Sequence, residues 1–246
     1  MTDPFIHLPD LRDRLKAADD SELRVTAEVL VQWDERAKRL GRPANWRLTN
    51  ETLETTRREI LGDLNPAKDL WFFAYGSLMW DPGIYFAEVR LARLEGFQRR
   101  FTYKTLVGRG SPEFPALLLG LERQAGSCTG LAFRVSADLA DNESAILWRR
   151  EMVRGNYSPT ILPMRTPQGD IEALVFAANP NNAEYAGELP LDETAAIIAT
   201  GSGPLGSNFD YLQQLATQLD HLGIEDSYVK RLVKRTQVAT RSSSSE

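Results

Sequence analysis

The chain has 246 residues, 42% of them hydrophobic and 26% charged, and a formal net charge of −5. That length can bury one substantial core, and the balance is that of an ordinary globular protein, while a mildly acidic chain lacks the concentrated basic surface that a nucleic-acid partner requires. No apolar run approaches the roughly 20 residues of a membrane helix and Met1-Thr2-Asp3-Pro4 has no signal-peptide character, so a cytoplasmic protein without membrane contact is expected.

Residues 21–40 carry apolar side chains at Leu23, Ala27, Leu30, Trp33, Ala37 and Leu40, the spacing of an amphipathic helix. Asp19 and Glu22 can form its capping box, and Gly41 with Pro43 ends it. A second short helix is expected over 51–61, introduced by Thr49 and Asn50. Together these make residues 1–69 a helical N-terminal extension in which no chemistry is evident. From Trp71 the texture changes to short apolar segments separated by Gly and Pro, and strands are expected near 71–75, 88–94, 97–106, 116–121, 129–135, 160–165 and 171–177. One helix, about 141–153, interrupts them, and three more follow near 191–200, 208–222 and 226–238. That order predicts an α+β fold, a small mixed or antiparallel β-barrel with surrounding helices, occupying 70–238 as the main domain. Repeated βαβ units and a G-x-G-x-x-G fingerprint are missing, which argues against a dinucleotide fold. Residues 239–246, ending in Arg-Ser-Ser-Ser-Ser-Glu, read as a disordered tail.

The chemical inventory is sparse. One cysteine, Cys128, sits in a predicted strand and reads as an inert buried thiol; the two histidines, His7 and His221, read as surface residues. No Cys/His pair, His-based metal site or Ser-His-Asp triad can be assembled from them. Two features remain. Trp71-Phe72-Phe73-Ala74 runs as a buried strand straight into Tyr75-Gly76-Ser77-Leu78, where successive backbone amides can form a nest for an anion. A tight strand-exit turn, with Ser77 bonding locally, accounts for the same residues. Glu151 follows Leu147-Trp148-Arg149-Arg150 at the end of a helix. If that face is buried, desolvation raises the carboxyl pKa and an inward-turned Arg lowers it; a solvated Glu–Arg pair is the plainer alternative, with Arg149 and Arg150 read as surface residues. Two Gly-rich stretches, 107–112 and 201–208, read as loops, the second with Ser207 or Asn208 as the N-cap of a helix carrying Tyr211, whose hydroxyl could reach a ligand.

Taken together, four segments resemble the ChaC-like, glutathione-specific gamma-glutamylcyclotransferases: Phe73-Ala74-Tyr75-Gly76-Ser77-Leu78-Met79-Trp80, then Gly108-Arg109-Gly110-Ser111-Pro112-Glu113, then Leu147-Trp148-Arg149-Arg150-Glu151-Met152, and Ser202-Gly203-Pro204-Leu205-Gly206-Ser207-Asn208 with Tyr211-Leu212. The resemblance covers about 70–225 and leaves the N-terminal extension outside. It implies a small β-barrel with surrounding helices, no cofactor, and cleavage of glutathione into 5-oxoproline and cysteinylglycine. It implies further that Tyr75, Gly76, Ser77 and Leu78 hold the gamma-glutamyl part, with Tyr211 as a further contact, and that Glu151 is the acid/base. This sequence departs from the pattern at Pro115-Ala116, where Pro-Gly is expected, and at Asn156.

The substrate so implied carries its own nucleophile, the glutamyl alpha-amine, which closes a five-membered ring on the gamma-carbonyl. Glu151 would take the amine proton and return it to the leaving nitrogen, while the amides of Gly76, Ser77 and Leu78 would receive the developing oxyanion. Three other readings stand beside it: a cyclotransferase for other gamma-glutamyl amino acids or amines, a Ser77 hydrolase that lacks a nearby His base, and a non-catalytic adaptor or transport regulator using helix 21–40 as its partner element.

Overall fold

The structure is a computed structural model that describes residues 3–62 and 67–243. It falls into two compact units, Met1–Phe97 with Arg123–Asn179, and Gln98–Glu122 with Pro180–Glu246. Two long strands, β2 (Glu88–Thr105) and β3 (Ala116–Val135), each contribute residues to both.

In the first unit, helix α1 covers Ala27–Arg39 and helix α2 Asn50–Leu61, capped by the side chains of Thr26 and Thr49. α2 starts where its cap predicts. α1 starts six residues later than expected, and the Asp19/Glu22 capping box is not formed. Residues 18–20 make a single 3-10 turn, and Ser21 spends its hydroxyl on Asp81 and on the amide of Leu23, so the chain stays non-helical until Thr26. Leu40, expected on the buried stripe, is exposed.

Strand β1 (Leu70–Ala74) lies at the centre of a five-stranded sheet of order β2-β3-β1-β5-β4, where β4 is Tyr157–Met164 and β5 Ile171–Ala178. β1 pairs antiparallel with β3, from Leu70 opposite Val135 to Ala74 opposite Leu131, and parallel with β5 at Phe72 and Leu174. β4 carries Pro159 and Pro163, which an edge strand tolerates because no outer neighbour needs their missing N–H. The two edges meet at one point, where Arg93 and Arg165 exchange backbone hydrogen bonds of 2.9 and 3.1 Å. The mixed α+β sheet expected from sequence is therefore present. The seven expected strands are five, because 88–94 joins 97–106 and 116–121 joins 129–135. At the expected breaks Gly96 and Gly126 take φ of 77° and 123°, conformations open to glycine, which let a strand bulge and continue rather than end.

Close approach of β3 to β1 depends on Gly130: a Cβ there would sit 2.1 Å from the carbonyl oxygen of Ala74. Gly130→Ala must part the two strands just before Tyr75. It is expected to cost at least the ~1–3 kcal/mol of an overpacked core, read as a lower urea midpoint.

Helix α3 covers Ala137–Glu151 and buries Glu143, Ser144, Leu147 and Trp148. It begins four residues earlier than expected, after Ser136, and ends at Glu151. The N-terminal residues pack on it. Arg24 pairs with Glu143, Arg57 donates to Ser144 Oγ at 2.8 Å, and Trp148 Nε1 donates to Thr56 Oγ1 at 3.0 Å.

The second unit joins the outer ends of β2 and β3 to helices α4 (Leu191–Thr200), α5 (Asn208–His221) and α6 (Ser227–Ser243). Ile198, Leu212, Leu215, Leu219, Val229 and Leu232 are buried among them. α6 runs five residues beyond the expected Val238, so 239–243 is helix rather than tail; 244–246 lie outside the described residues. Among the described residues no helix is long and apolar enough to cross a membrane.

Candidate active site

The first unit brings the Tyr75–Leu78 turn and Glu151 to the two ends of one side chain. β1 delivers Tyr75, whose hydroxyl donates to Phe176 O at 2.8 Å, and the chain then makes a single 3-10 turn, Ser77–Met79. Within that turn the amides of Met79, Trp80 and Asp81 are consumed by Gly76 O and Ser77 O, at 2.8 to 3.1 Å. The amides of Gly76, Ser77 and Leu78 reach no acceptor among the described residues. Three consecutive N–H groups without an acceptor are available to a carboxylate or an oxyanion. Leu78 and Met79 are buried beside them.

Glu151 closes α3, with its side chain 15% exposed. Its Oε1 lies 3.1 Å from Arg150 Nε, and no other donor reaches the carboxylate among the described residues. Burial pushes its pKa above the ordinary carboxylate value, and the Arg150 charge pulls the other way without cancelling it. The solvated ion pair is thus not what forms: this carboxyl is largely withdrawn from water, raised in pKa and under-bonded. Such a group suits proton transfer near neutral pH.

Arg150 is the residue that the sequence reading misplaced. Its side chain is only 7% exposed, not a surface group. Nη2 donates to Ser77 Oγ at 3.1 Å, and Nη1 to Asp81 O at 2.7 Å and Pro82 O at 3.3 Å, while Nε faces Glu151. One planar guanidinium therefore spans turn and carboxylate. A sequence signal existed: Arg150 stands four residues after Ile146 and three after Leu147, both buried, and so on the inward face of the helix. Arg149 is half-buried rather than superficial. It lines a cavity of about 400 Å³ with Leu30, Leu53, Arg57 and Trp148 that includes neither the turn nor Glu151, and burial lowers its pKa.

The remaining expected residues lie in the second unit. Ser207 caps α5 by accepting from Asp210 N at 2.9 Å, and Asn208 bonds both the amide and the carbonyl of Leu117, at 2.7 and 2.9 Å. Arg109 donates to Ser207 O at 3.1 Å and stands 5.3 Å from the ring centre of Tyr211, which also meets Phe101 edge-on. In the first unit Cys128 is buried, and His7 sits 3.1 Å from Glu88. The described residues contain no cluster of three or more His, Cys, Asp or Glu suited to a metal ion.

The Escherichia coli (strain K12) protein named glutathione-specific gamma-glutamylcyclotransferase is 36% identical over 165 residues, covering 67% of this chain and 71% of that protein. The Homo sapiens glutathione-specific gamma-glutamylcyclotransferase 1 is 31% identical over 170 residues, covering 67% and 77%. Among solved structures, a yeast gamma-glutamyl cyclotransferase specific to glutathione superposes with a TM-score of 0.64 at 21% identity, over 70% of this chain and 96% of that one, which shows a shared fold. The family profile of ChaC-like proteins matches residues 70–239, the stretch that holds the turn, Arg150, Glu151 and Tyr211, and this chain belongs to that family.

Proposed function

We propose that this protein is a gamma-glutamylcyclotransferase that cleaves glutathione to 5-oxoproline and cysteinylglycine. The observation that carries the reading is Glu151, a buried carboxyl of raised pKa joined through Arg150 to a turn with three unsatisfied amides. Two relatives named for glutathione support the substrate.

In this reading Gly76, Ser77 and Leu78 offer their amides to the gamma-carbonyl oxygen, and the Tyr75–Leu78 turn orients the glutamyl group. Glu151 takes a proton from the alpha-amine as its nitrogen attacks the gamma-carbon. It returns the proton to the cysteine nitrogen as the amide bond breaks, and the second proton shed by the ring nitrogen also goes to that amine, which leaves as an ammonium. An alpha-amine of pKa about 8 is largely protonated at pH 7, so a base of raised pKa is well matched to it. Ring closure is intramolecular and can draw up to roughly 7–11 kcal/mol from positioning alone, so the chemistry calls for one proton shuttle and one anion site. Tyr211 would be a further substrate contact, residues 70–238 the catalytic portion, residues 1–69 an extension, and the setting cytoplasmic.

The test is to incubate the purified protein with glutathione and with a panel of gamma-glutamyl amino acids and amines, following 5-oxoproline. Release from glutathione in preference to the panel is expected. Release from other members alone would move the substrate, and release from none, with a protein partner co-purifying, would favour an adaptor. Ser77 separates this route from a covalent one. Ser77→Ala is expected to keep kcat within about tenfold of wild type, since Arg150 retains Asp81 O, whereas loss of a serine nucleophile costs on the order of 10⁶.

A further inference from the structure

Residues upstream of the family match grip the segment that follows the Tyr75–Leu78 turn. Lys16 N donates to Trp80 O at 2.9 Å, Ser21 Oγ to Asp81 Oδ1 at 2.5 Å, and Arg24 Nη1 to Gly83 O at 3.1 Å. Arg24 is anchored in turn by Glu143 on α3, whose Oε2 also accepts from Tyr85 N at 3.0 Å. The other side of the same segment is held by Arg150 through the carbonyls of Asp81 and Pro82. The elements converge at Gly83: a Cβ there would meet Arg150 Nη1, Leu23 O and Ser21 Oγ, each at 3.2 Å. Residues 80–85 are thus clamped between an N-terminal strap and the guanidinium that faces both Ser77 and Glu151.

We propose that Lys16–Arg24 is a positioning strap for the active site, in which Ser21 and Arg24 fix the 80–85 segment and, through its carbonyls, the placement of Arg150. The inference rests on the cyclotransferase reading above. The strap residues act through the 80–85 segment and Arg150, as positioning residues. Ser21 and Asp81 are both buried, so their hydrogen bond is shielded from water and stronger than its surface counterpart. Arg150 is the charged group acting on Glu151; the nearby Arg154 is turned to Trp46 O and the Tyr75 hydroxyl to Phe176 O. If the strap lets go, the guanidinium is no longer pinned, the turn shifts, and the influence of Arg150 on the Glu151 carboxyl weakens.

The test compares Ser21→Ala and Ser21→Thr with wild type, in the full-length protein, by kinetics across pH and by amide hydrogen exchange. Ser21→Ala is expected to lose about tenfold in kcat, the scale on which displaced catalytic geometry acts. The acidic limb of its pH profile should move upward, and residues 77–85 should exchange faster. Ser21→Thr, which keeps the hydroxyl, should restore all three, and Asp81→Ala, which removes the acceptor of the Ser21 hydroxyl, should mimic the alanine variant should that variant fail to fold. A folded Ser21→Ala with unchanged kcat, pH limb and exchange would overturn the strap. Absence of 5-oxoproline from wild type would instead overturn the proposed function, leaving the exchange measurement to decide the strap by itself.

Discussion

Replacing Glu151 with glutamine is expected to lower kcat for glutathione by about 10²–10⁴-fold, the span of general acid–base catalysis, with little change in KM. Gln keeps the shape and a polar carbonyl opposite Arg150, so the nearby turn is retained while the proton shuttle is lost. The same substitution makes an opposite prediction for stability. Burial raises the carboxyl pKa in the folded protein above its ordinary value of 4.5, so the folded state binds this proton more tightly than the unfolded chain does. The stabilising contribution is fully present below about pH 4.5 and is lost as pH rises through the folded-state pKa. Glu151→Gln has no such loss. Urea unfolding should find it gaining on wild type as pH is raised from 4 to 7, while its turnover falls. A variant that loses both turnover and stability would point to a structural carboxylate instead.

The second large effect is expected at Glu143, the fully buried carboxylate of α3. It accepts from Arg24 Nη1 and Nη2 at 2.6 and 2.8 Å, from Tyr85 N at 3.0 Å and from Asn142 Nδ2 at 2.9 Å. Arg24 is itself mostly buried, and the pairing raises its pKa. Glu143→Ala leaves that guanidinium inside without a counter-charge and the Tyr85 amide without an acceptor. Such a break typically costs about 3–5 kcal/mol, a large part of the stability of a domain this size. Removing both charges, as in Arg24→Leu with Glu143→Leu, should cost less than removing Glu143 alone, because the penalty lies in the orphaned charge. Denaturant titrations of the single and double variants decide this, and equal losses would mean that packing, not charge, dominates.

Periodicity and turn chemistry made the regular elements legible. α4 was expected at 191–200 and spans Leu191–Thr200, because Pro190 and Gly201 bracket one apolar stripe. Glycine was over-read in the sheet: Gly96 and Gly126 bend single long strands that composition splits in two. Long-range polar bonds left no local trace. The Ser21–Asp81 bond spans 60 residues and keeps α1 from starting early. The Arg150 bonds to Asp81 O and Pro82 O end on backbone carbonyls, groups that every residue carries and that no motif marks. Tyr75–Leu78 and Glu151 were legible as types of group in a pattern, whereas the residue connecting them was hidden among three arginines and one glutamate that read as a solvated helix end.

Isotope labelling tests the central claim most directly. In ¹⁸O water, attack by the glutamyl amine gives 5-oxoproline and cysteinylglycine in equal amounts with no solvent oxygen in the ring carbonyl, and this is the predicted result. Glutamate carrying one solvent oxygen in its gamma-carboxyl would mean that water or an acyl-enzyme opened the amide, and would contradict the account.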